Sequence, residues 1–314
     1  MSQAALLKID TAVQALGFGA STRELTQQLR PKAHLRFVLP SGGGGFILNI
    51  KNAVKAAVER TSDVNVTLDF HEIEMSAEKI LNELHMVHQD KVSALGIFTL
   101  DTVEIRDKID ATVTSGVPVV TMVSDVPAAR RSMFVGIDNN AAGRTAGRLM
   151  GKFLRGETGR VAVITGSMNA RDHLERYFAF RDVLARDFRN IAVLPVFETS
   201  SLDRYIMDCV KGALEAHDDL LGIYLVTGGV SGVLAALRER PDGPRPVFIA
   251  HDLTPNTRRG LISGEIDAVI NQSAVKIADA AVSSLLAKFA PNTSGGEVSK
   301  GGIGIEVFVL DNLP

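Results

Sequence analysis

From residue 35 onward, short, continuously apolar runs alternate with longer stretches whose apolar residues recur every three or four positions. The apolar runs at 35–40, 64–70, 94–98, 117–123, 161–165, 191–197, 221–226 and 247–250 predict strands, and weaker runs at 133–137, 268–270 and 303–309 predict three more. Most show no polar alternation, the pattern of parallel strands buried on both faces. Between them, 45–60 places Phe46, Ile50, Val54, Ala57 and Val58 at helical spacing, and 75–88 does the same with Ile80, Leu81, Leu84 and Val87. Further helices are predicted at 103–114, 140–154, 170–187, 202–216, 230–237 and 275–288. Strand–helix alternation repeated this often means an α/β protein with doubly wound parallel sheets. Ten or so strands suit two sheets of five or six better than one.

The first 30 residues break the pattern. AALLKIDTAVQALGF reads as a helix ended near Gly17, and Ser21 caps a second short helix stopped by Pro31. Two such helices form no core of their own and need something to pack on. Charge is concentrated there too. Lys8, Arg23, Arg30, Lys32 and Arg36 face only Asp10 and Glu24 up to residue 36, a net +3 on a chain whose net charge is −2. The remainder is acidic, which argues against a general nucleic-acid coat.

With 314 residues, 46% of them hydrophobic and 22% charged, the chain has ample material for buried cores. The start carries acid and lacks a continuous apolar segment and a small-residue cleavage site, so a cytoplasmic location without membrane contact is expected. Cys209 stands alone, which excludes an internal disulfide and a cysteine zinc cluster; on a predicted helix it reads as a small core residue. His85 and His88 lie three apart with no third ligand evident, so no metal site and no cofactor are expected. Neither a Gly-x-Ser-x-Gly elbow nor His-Glu-x-x-His occurs. The four glycines Gly42–Gly45 sit where a phosphate loop would, but neither nucleotide-binding glycine spacing fits them. They instead let the backbone approach a cleft, or let the loop flex.

Four stretches together resemble the lactose-repressor (LacI/GalR) type of bacterial transcription regulator, whose effector domain is shared with periplasmic sugar-binding proteins. They are KIDTAVQALGFGASTRELTQQLR, FVGIDNNAAGRTAGRLMGKFL, FIAHDLTPNTRRGLISGEIDAVINQSAVKIADAAV and the closing VFVLDNLP. The resemblance implies a residual DNA-head helix and hinge helix over 1–34. It also implies an N-terminal effector subdomain over 35–137 plus 273–302 and a C-terminal one over 138–272 plus 303–314. Three crossovers would join them, near 138, 272 and 302. It implies a homodimer, a small-molecule effector (monosaccharide, sugar alcohol or sugar acid) and operator DNA, with Leu29 wedged into the minor groove. The family's helix-turn-helix has no counterpart ahead of the hinge in this sequence, so DNA reading by the chain is expected to be weak. Thr26 stands where the hinge usually has a small alanine.

A sugar presents hydroxyls at its rim and C–H groups on its faces, so its site needs forked polar groups and a flat apolar surface. In α/β sheets these belong at the carboxyl ends of strands. The resemblance points to Phe46 as a stacking ring, Arg176 as a forked donor, and Asp252 and Gln272 as hydroxyl partners. Ser124, Asp125 and Thr227 occupy further strand ends, and Ser41, Gly44 and Gly45 line the first. The chain departs from the family where Thr227-Gly228 replaces Asn-Asp, where Ala179 replaces a glycine after Arg176, and where Ser124-Asp125 replaces Asp-Arg. Each candidate has a structural alternative. Asp252 before Thr254-Pro255 can be a helix cap, Arg176 a surface residue, Gln272 a cap and Phe46 a core residue. The small residues Gly143 and Gly147 suggest close helix–sheet packing, with Asp138 and Asn139 as caps. The runner-up function is the solute-binding protein of a sugar transporter. A third is a sugar-processing enzyme, for which Asp125 with Asp252 is the available acid–base pair.

Overall fold

The computed structural model describes residues 30–42, 44–199, 201–240, 244–289 and 302–314. The first sheet contains β1 (Lys32–Pro40), β2 (Asn65–Ile73), β3 (Ala94–Ile97), β4 (Val119–Met122) and β5 (Met133–Val135), in the order β2-β1-β3-β4-β5, all parallel. Helices α1 (Gly44–Glu59), α2 (Ala77–Met86) and α3 (Val103–Thr114) link its strands. The chain then enters α4 (Asn139–Phe153) and a second sheet. This sheet contains β6 (Gly159–Thr165), β7 (Ile191–Val193), β8 (Phe197–Glu198), β9 (Leu220–Leu225), β10 (Val247–His251), β11 (Ala268–Asn271) and β12 (Glu306–Phe308). Its order is β12-β11-β10-β9-β6-β7, with β8 also on β6, and β12 runs antiparallel to β11. Helices α5 (Arg171–Asp187), α6 (Asp203–Ala216), α7 (Val230–Arg238) and α8 (Pro255–Ile262) connect these strands. The result is the doubly wound α/β architecture that the alternation predicts. Among the described residues no helix is long and apolar enough to cross a membrane.

Burial explains why the strands lack polar alternation. Leu35, Phe37 and Leu39 of β1 pack on one side of the first sheet, and Val38 packs on the other with Ile97 of β3. Arg36 is buried as well, which it tolerates because Asp90 (2.7 Å) and Asp69 (3.1 Å) take its guanidinium. The second sheet is likewise covered on both faces.

Three passages join the two lobes. The first follows β5 into α4. The second follows β11 into α9 (Ala274–Leu286), whose Ile277, Ala281 and Leu285 return to the first core beside Ile50 and Val54. In the third, Ile303 bridges Ile137 before β12 joins the second sheet.

The structure refines the sequence expectations at specific places. The run at 191–197 divides into β7 and β8 because Pro195 has no N–H to give; Leu194 N–H reaches Val161 O (3.0 Å) before the break. Helix α8 is capped by Thr254, whose hydroxyl accepts Thr257 N–H, so Asp252 is not the cap. Asp138 caps α4, while Asn139 is buried at its first turn. Cys209 is half-buried against the second core.

The bare face of α4 packs on helix α5, not on the sheet. A Cβ at Gly143 would lie 2.3 Å from Arg176 O, one at Gly147 2.8 Å from Phe180 O, and one at Gly151 2.3 Å from the Phe188 ring. Backbone meets backbone at the first two, so a methyl group cannot be absorbed by a rotamer change. Gly143→Ala is expected to lower the unfolding free energy by about 1–3 kcal/mol. Gly212→Ala, inside α6 with nothing within 4 Å, is expected to raise it by about 0.4–1 kcal/mol. Urea denaturation of the two variants checks the opposite signs.

Candidate ligand-binding site

Both sheets reverse their strand order beside the central strand, between β1 and β3 in one and between β6 and β9 in the other. Ligands of open α/β sheets sit beyond the strand carboxyl ends at such points. Here the carboxyl ends of both sheets border one cleft of about 910 Å³.

Arg176 organises the floor of the cleft. Its position on α5 lays it beneath the strand ends, 2% exposed. Nε donates to Asn139 Oδ1 (2.9 Å), Nη1 to Val226 O (3.4 Å) and Nη2 to Gln272 Oε1 (3.2 Å). Gln272 in turn donates from Nε2 to Asp252 Oδ2 (3.3 Å). Asp172, one turn before Arg176, lies 3.9 Å from Nη2. Burial alone would raise the Asp172 carboxyl, but His173, Arg176 and the Ser124 hydroxyl hold it below its ordinary range.

Asp252 is the exposed end of this chain in a chemical sense. Oδ1 is buried and has no hydrogen-bond partner, although the carboxyl borders the cleft. Burial pushes its pKa up to about 7 against the pull of Arg176 and Gln272, with Asp172 adding to the rise. Its backbone is left-handed, at φ +65°, which for a non-glycine residue stores strain and aims the side chain off the end of β10. Its neighbour His251 shares a hydrogen bond of 2.8 Å between Nε2 and the Tyr224 hydroxyl, while Nδ1 is buried and unpartnered. Burial, with Arg176 and His173, holds the His251 ring well below its ordinary pKa and therefore neutral.

The first lobe supplies the opposing wall. Val123, at the end of β4, also has φ +65°, and its N–H reaches Val135 O just as Asp252 N–H reaches Ile270 O (2.9 Å each). Ser124 is buried, accepts Arg171 N–H (3.1 Å) and bonds Asp172. Phe46 is half-buried, one side on the first core and one on the cleft. The lobes touch on both flanks of the cleft. On one flank Asn49 Nδ2 donates to Leu253 O (3.3 Å), and a Cβ on Gly45 would stand 2.9 Å from Thr254 Cβ. On the other, Asp101 N–H reaches Asn169 O (3.3 Å).

The cleft brings together Ser41, Gly44, Gly45, Phe46, Ser124, Arg176, Thr227, Asp252 and Gln272. The structural alternatives are decided by geometry. Arg176 is buried, Ser273 rather than Gln272 caps α9, and Phe46 serves both core and cleft. Thr227 is turned to Ser201, their hydroxyls 2.7 Å apart. Asp125 is the correction. It curls back onto its own loop, accepting from Thr121 Oγ1 (3.0 Å), Val126 N–H (2.7 Å) and Arg131 Nη2 (2.7 Å), and it does not line the cleft. The Asp125–Asp252 acid–base pair is therefore not assembled. Gly43, Leu29 and the two N-terminal helices lie outside the described residues. Sequence reasoning missed Asn139, read as a cap, and Asp172. The available signal for Asp172 was its spacing: Asp172 and Arg176 are four apart on one helix face.

The family model for the periplasmic binding protein domain matches residues 35–290. The chain belongs to this family. No curated protein sequence matches it. Solved structures of sugar- and solute-binding proteins share its fold at low identity. A glucose-galactose binding protein from Geobacillus stearothermophilus is 24% identical with a TM-score of 0.79, covering 91% of this chain and 100% of its own. An ABC transporter solute-binding protein from Burkholderia graminis, in complex with D-arabinose, is 26% identical with a TM-score of 0.79, over 90% and 96% of the two chains. One from Agrobacterium vitis with bound D-fucose is 20% identical, again with a TM-score of 0.79, over 89% and 96%. The chain has the type I periplasmic binding protein fold. The likeness to LacI-type regulators is thereby supported as far as the effector-domain fold they share.

Asp252 makes stability pH-dependent in a definite direction. An acid whose folded pKa is raised keeps its proton when folded while the unfolded chain releases it. Its contribution therefore favours the fold at low pH and is lost as pH rises from 3.8 to about 7. Asparagine keeps the left-handed backbone and cannot ionise. Relative to wild type, Asp252→Asn is expected to gain stability across that window, by at most about 1.4 kcal/mol per pH unit. Chemical denaturation from pH 4 to pH 8 checks the slope; parallel curves for the two proteins contradict it.

Proposed function

We propose that this chain is a binding protein for a small polyhydroxylated solute of the sugar class, held in the cleft between its lobes and used in the manner of transporter solute-binding proteins. The observation that carries the reading is Asp252 Oδ1, a buried carboxyl oxygen without a hydrogen-bond partner at the end of the hydrogen-bond chain from Arg176 through Gln272. Such an atom costs free energy until a partner reaches it, and a ligand hydroxyl, which both donates and accepts, satisfies it in either protonation state. Phe46 offers the apolar surface that C–H groups of a sugar ring need. The sugars named for the Burkholderia and Agrobacterium relatives support the same class. Binding lowers the energy of the form in which both lobes contact the solute, and only that difference in affinity shifts the lobes.

A second reading, a LacI-type regulator, is favoured by the excess of basic residues before residue 37 and by the family-like stretch they occupy. It requires a homodimer, operator DNA and a cytoplasmic location, with the cleft acting as an effector site. Size-exclusion chromatography with light scattering separates the two, because the delivery reading expects a monomer at micromolar concentration and the regulator reading a dimer.

The binding claim is tested by thermal shift against monosaccharides, sugar alcohols and sugar acids. At least one is expected to raise Tm, by a mass-action amount that grows with its concentration. Asp252→Asn and Arg176→Met are each expected to remove the shift, with circular dichroism reporting whether the variant remains folded. If no polyol or saccharide stabilises the wild-type protein, the sugar reading fails.

A further inference from the structure

The cleft is larger than its polar floor. The groups that can grip hydroxyls, Asp252, Gln272, Arg176 and Ser124, are all at most 9% exposed and lie together at the bottom. Above them the same cavity continues to a mouth of different character. On the second lobe the mouth is formed by Leu202 (44% exposed), Arg204 and Tyr205 (43% exposed) at the start of α6. The Arg204 guanidinium lies over the Tyr205 ring, 4.4 Å from its centroid, and Nη2 donates to the Tyr205 hydroxyl (2.7 Å). Opposite stand Ser41 and Gly42 of the first lobe, and a Cβ on Gly42 would sit 3.6 Å from Leu202 Cδ2. Apart from Ser41, this side of the mouth is lined by Gly42, Gly44 and Gly45, which add no side chains to it.

Two features of this space are informative. A volume of about 910 Å³ lies near the top of the range for clefts that enclose drug-sized ligands, about 300–1,000 Å³, whereas one sugar ring has about twelve non-hydrogen atoms. Nor is the volume a product of widely separated lobes, because both flanks are already in contact through Asn49–Leu253 and Asp101–Asn169. The second feature is chemical. An aromatic ring stiffened by its own arginine, half in water, provides an apolar face together with a polar edge, the surface that a second carbohydrate ring needs.

We infer that the cleft is built for a ligand of two linked rings, a disaccharide or a glycoside, with one ring on the Asp252–Gln272–Arg176 floor and the second between Tyr205–Arg204 and the Ser41–Gly42 rim. This rests on the proposed sugar-binding function and assigns that site a second subsite.

Isothermal titration of the full chain tests it with matched pairs: galactose against lactose and melibiose, and glucose against maltose and cellobiose. A disaccharide is expected to bind about tenfold more tightly than its component monosaccharide. Tyr205→Ala is expected to erase that advantage while leaving the monosaccharide Kd within about twofold, since it touches none of the floor groups. Gly42→Asn, which adds a side chain to the rim from the other lobe and tolerates the left-handed backbone at φ +72°, is expected to do the same, and this guards against a folding defect confined to one variant. If monosaccharides bind and no disaccharide binds more tightly, the second subsite is refuted while the sugar reading stands. Equal losses for both ligands in Tyr205→Ala also overturn it. If no saccharide of either size binds, the failure lies in the underlying reading.

Discussion

Everything in the cleft depends on one buried cation. Arg176 cannot shed its charge, and it is withdrawn from water at the base of α5. It is tolerable there because each of its three nitrogens has an acceptor, on Asn139, Val226 and Gln272, and because the Asp172 carboxylate is near. These partners are not arbitrary. Asn139 opens α4 at the first passage between lobes, and Gln272 follows β11 at the start of the second. Asn139 also donates from Nδ2 to Val123 O (3.3 Å), the residue that ends β4 in the other lobe. A single guanidinium thus ties Asp252, through Gln272, to two of the three passages between the lobes.

That arrangement sets the demands on the surrounding chain. Arg176 can sit where it does only if α4 and α5 approach at backbone distance, and Gly143 faces the Arg176 carbonyl itself. The small residues of α4 therefore shape the cleft floor at one remove. They fix the depth of α5 to within a methyl group, and the side chain of α5 fixes the hydrogen-bond chain.

Much of this was legible in the amino-acid pattern. Continuous apolar runs of four to seven residues identified strands covered on both faces, because the covering helices remove the need for a polar side. Phe46, Arg176, Asp252 and Gln272 were legible through the resemblance to the lactose-repressor type of effector domain, whereas the topology by itself marked only the strand carboxyl ends they lie beside. What could not be read was the direction of short side chains at those ends. Ser124 and Asp125 are adjacent, yet one faces the cleft and the other turns back to Arg131; their chemistry permits either, and the left-handed turn at Val123 decides. Asn139 was hidden for a related reason: at a helix start, a cap and a buried bridge look the same until the opposing arginine is in place. The bare glycine face was seen but paired with the wrong neighbour, since small residues record that something approaches and not what it is.

The matched φ values of Val123 and Asp252 have one more consequence. The two lobes share a strand plan, and at the same place in that plan each carries a left-handed, non-glycine residue whose N–H bonds the next strand. One copy presents a methyl-bearing wall and the other a carboxylate. A pseudo-twofold scaffold has thus been given chemically unequal jaws: the second lobe is the seat, and the first is the cover that shapes what the seat can hold. The cover can change at Ser41 or Phe46 without disturbing the charge buried in the seat, whereas Gly42 (φ +72°) and Gly44 (φ +62°) are held to glycine by their backbone and Gly45 by Thr254.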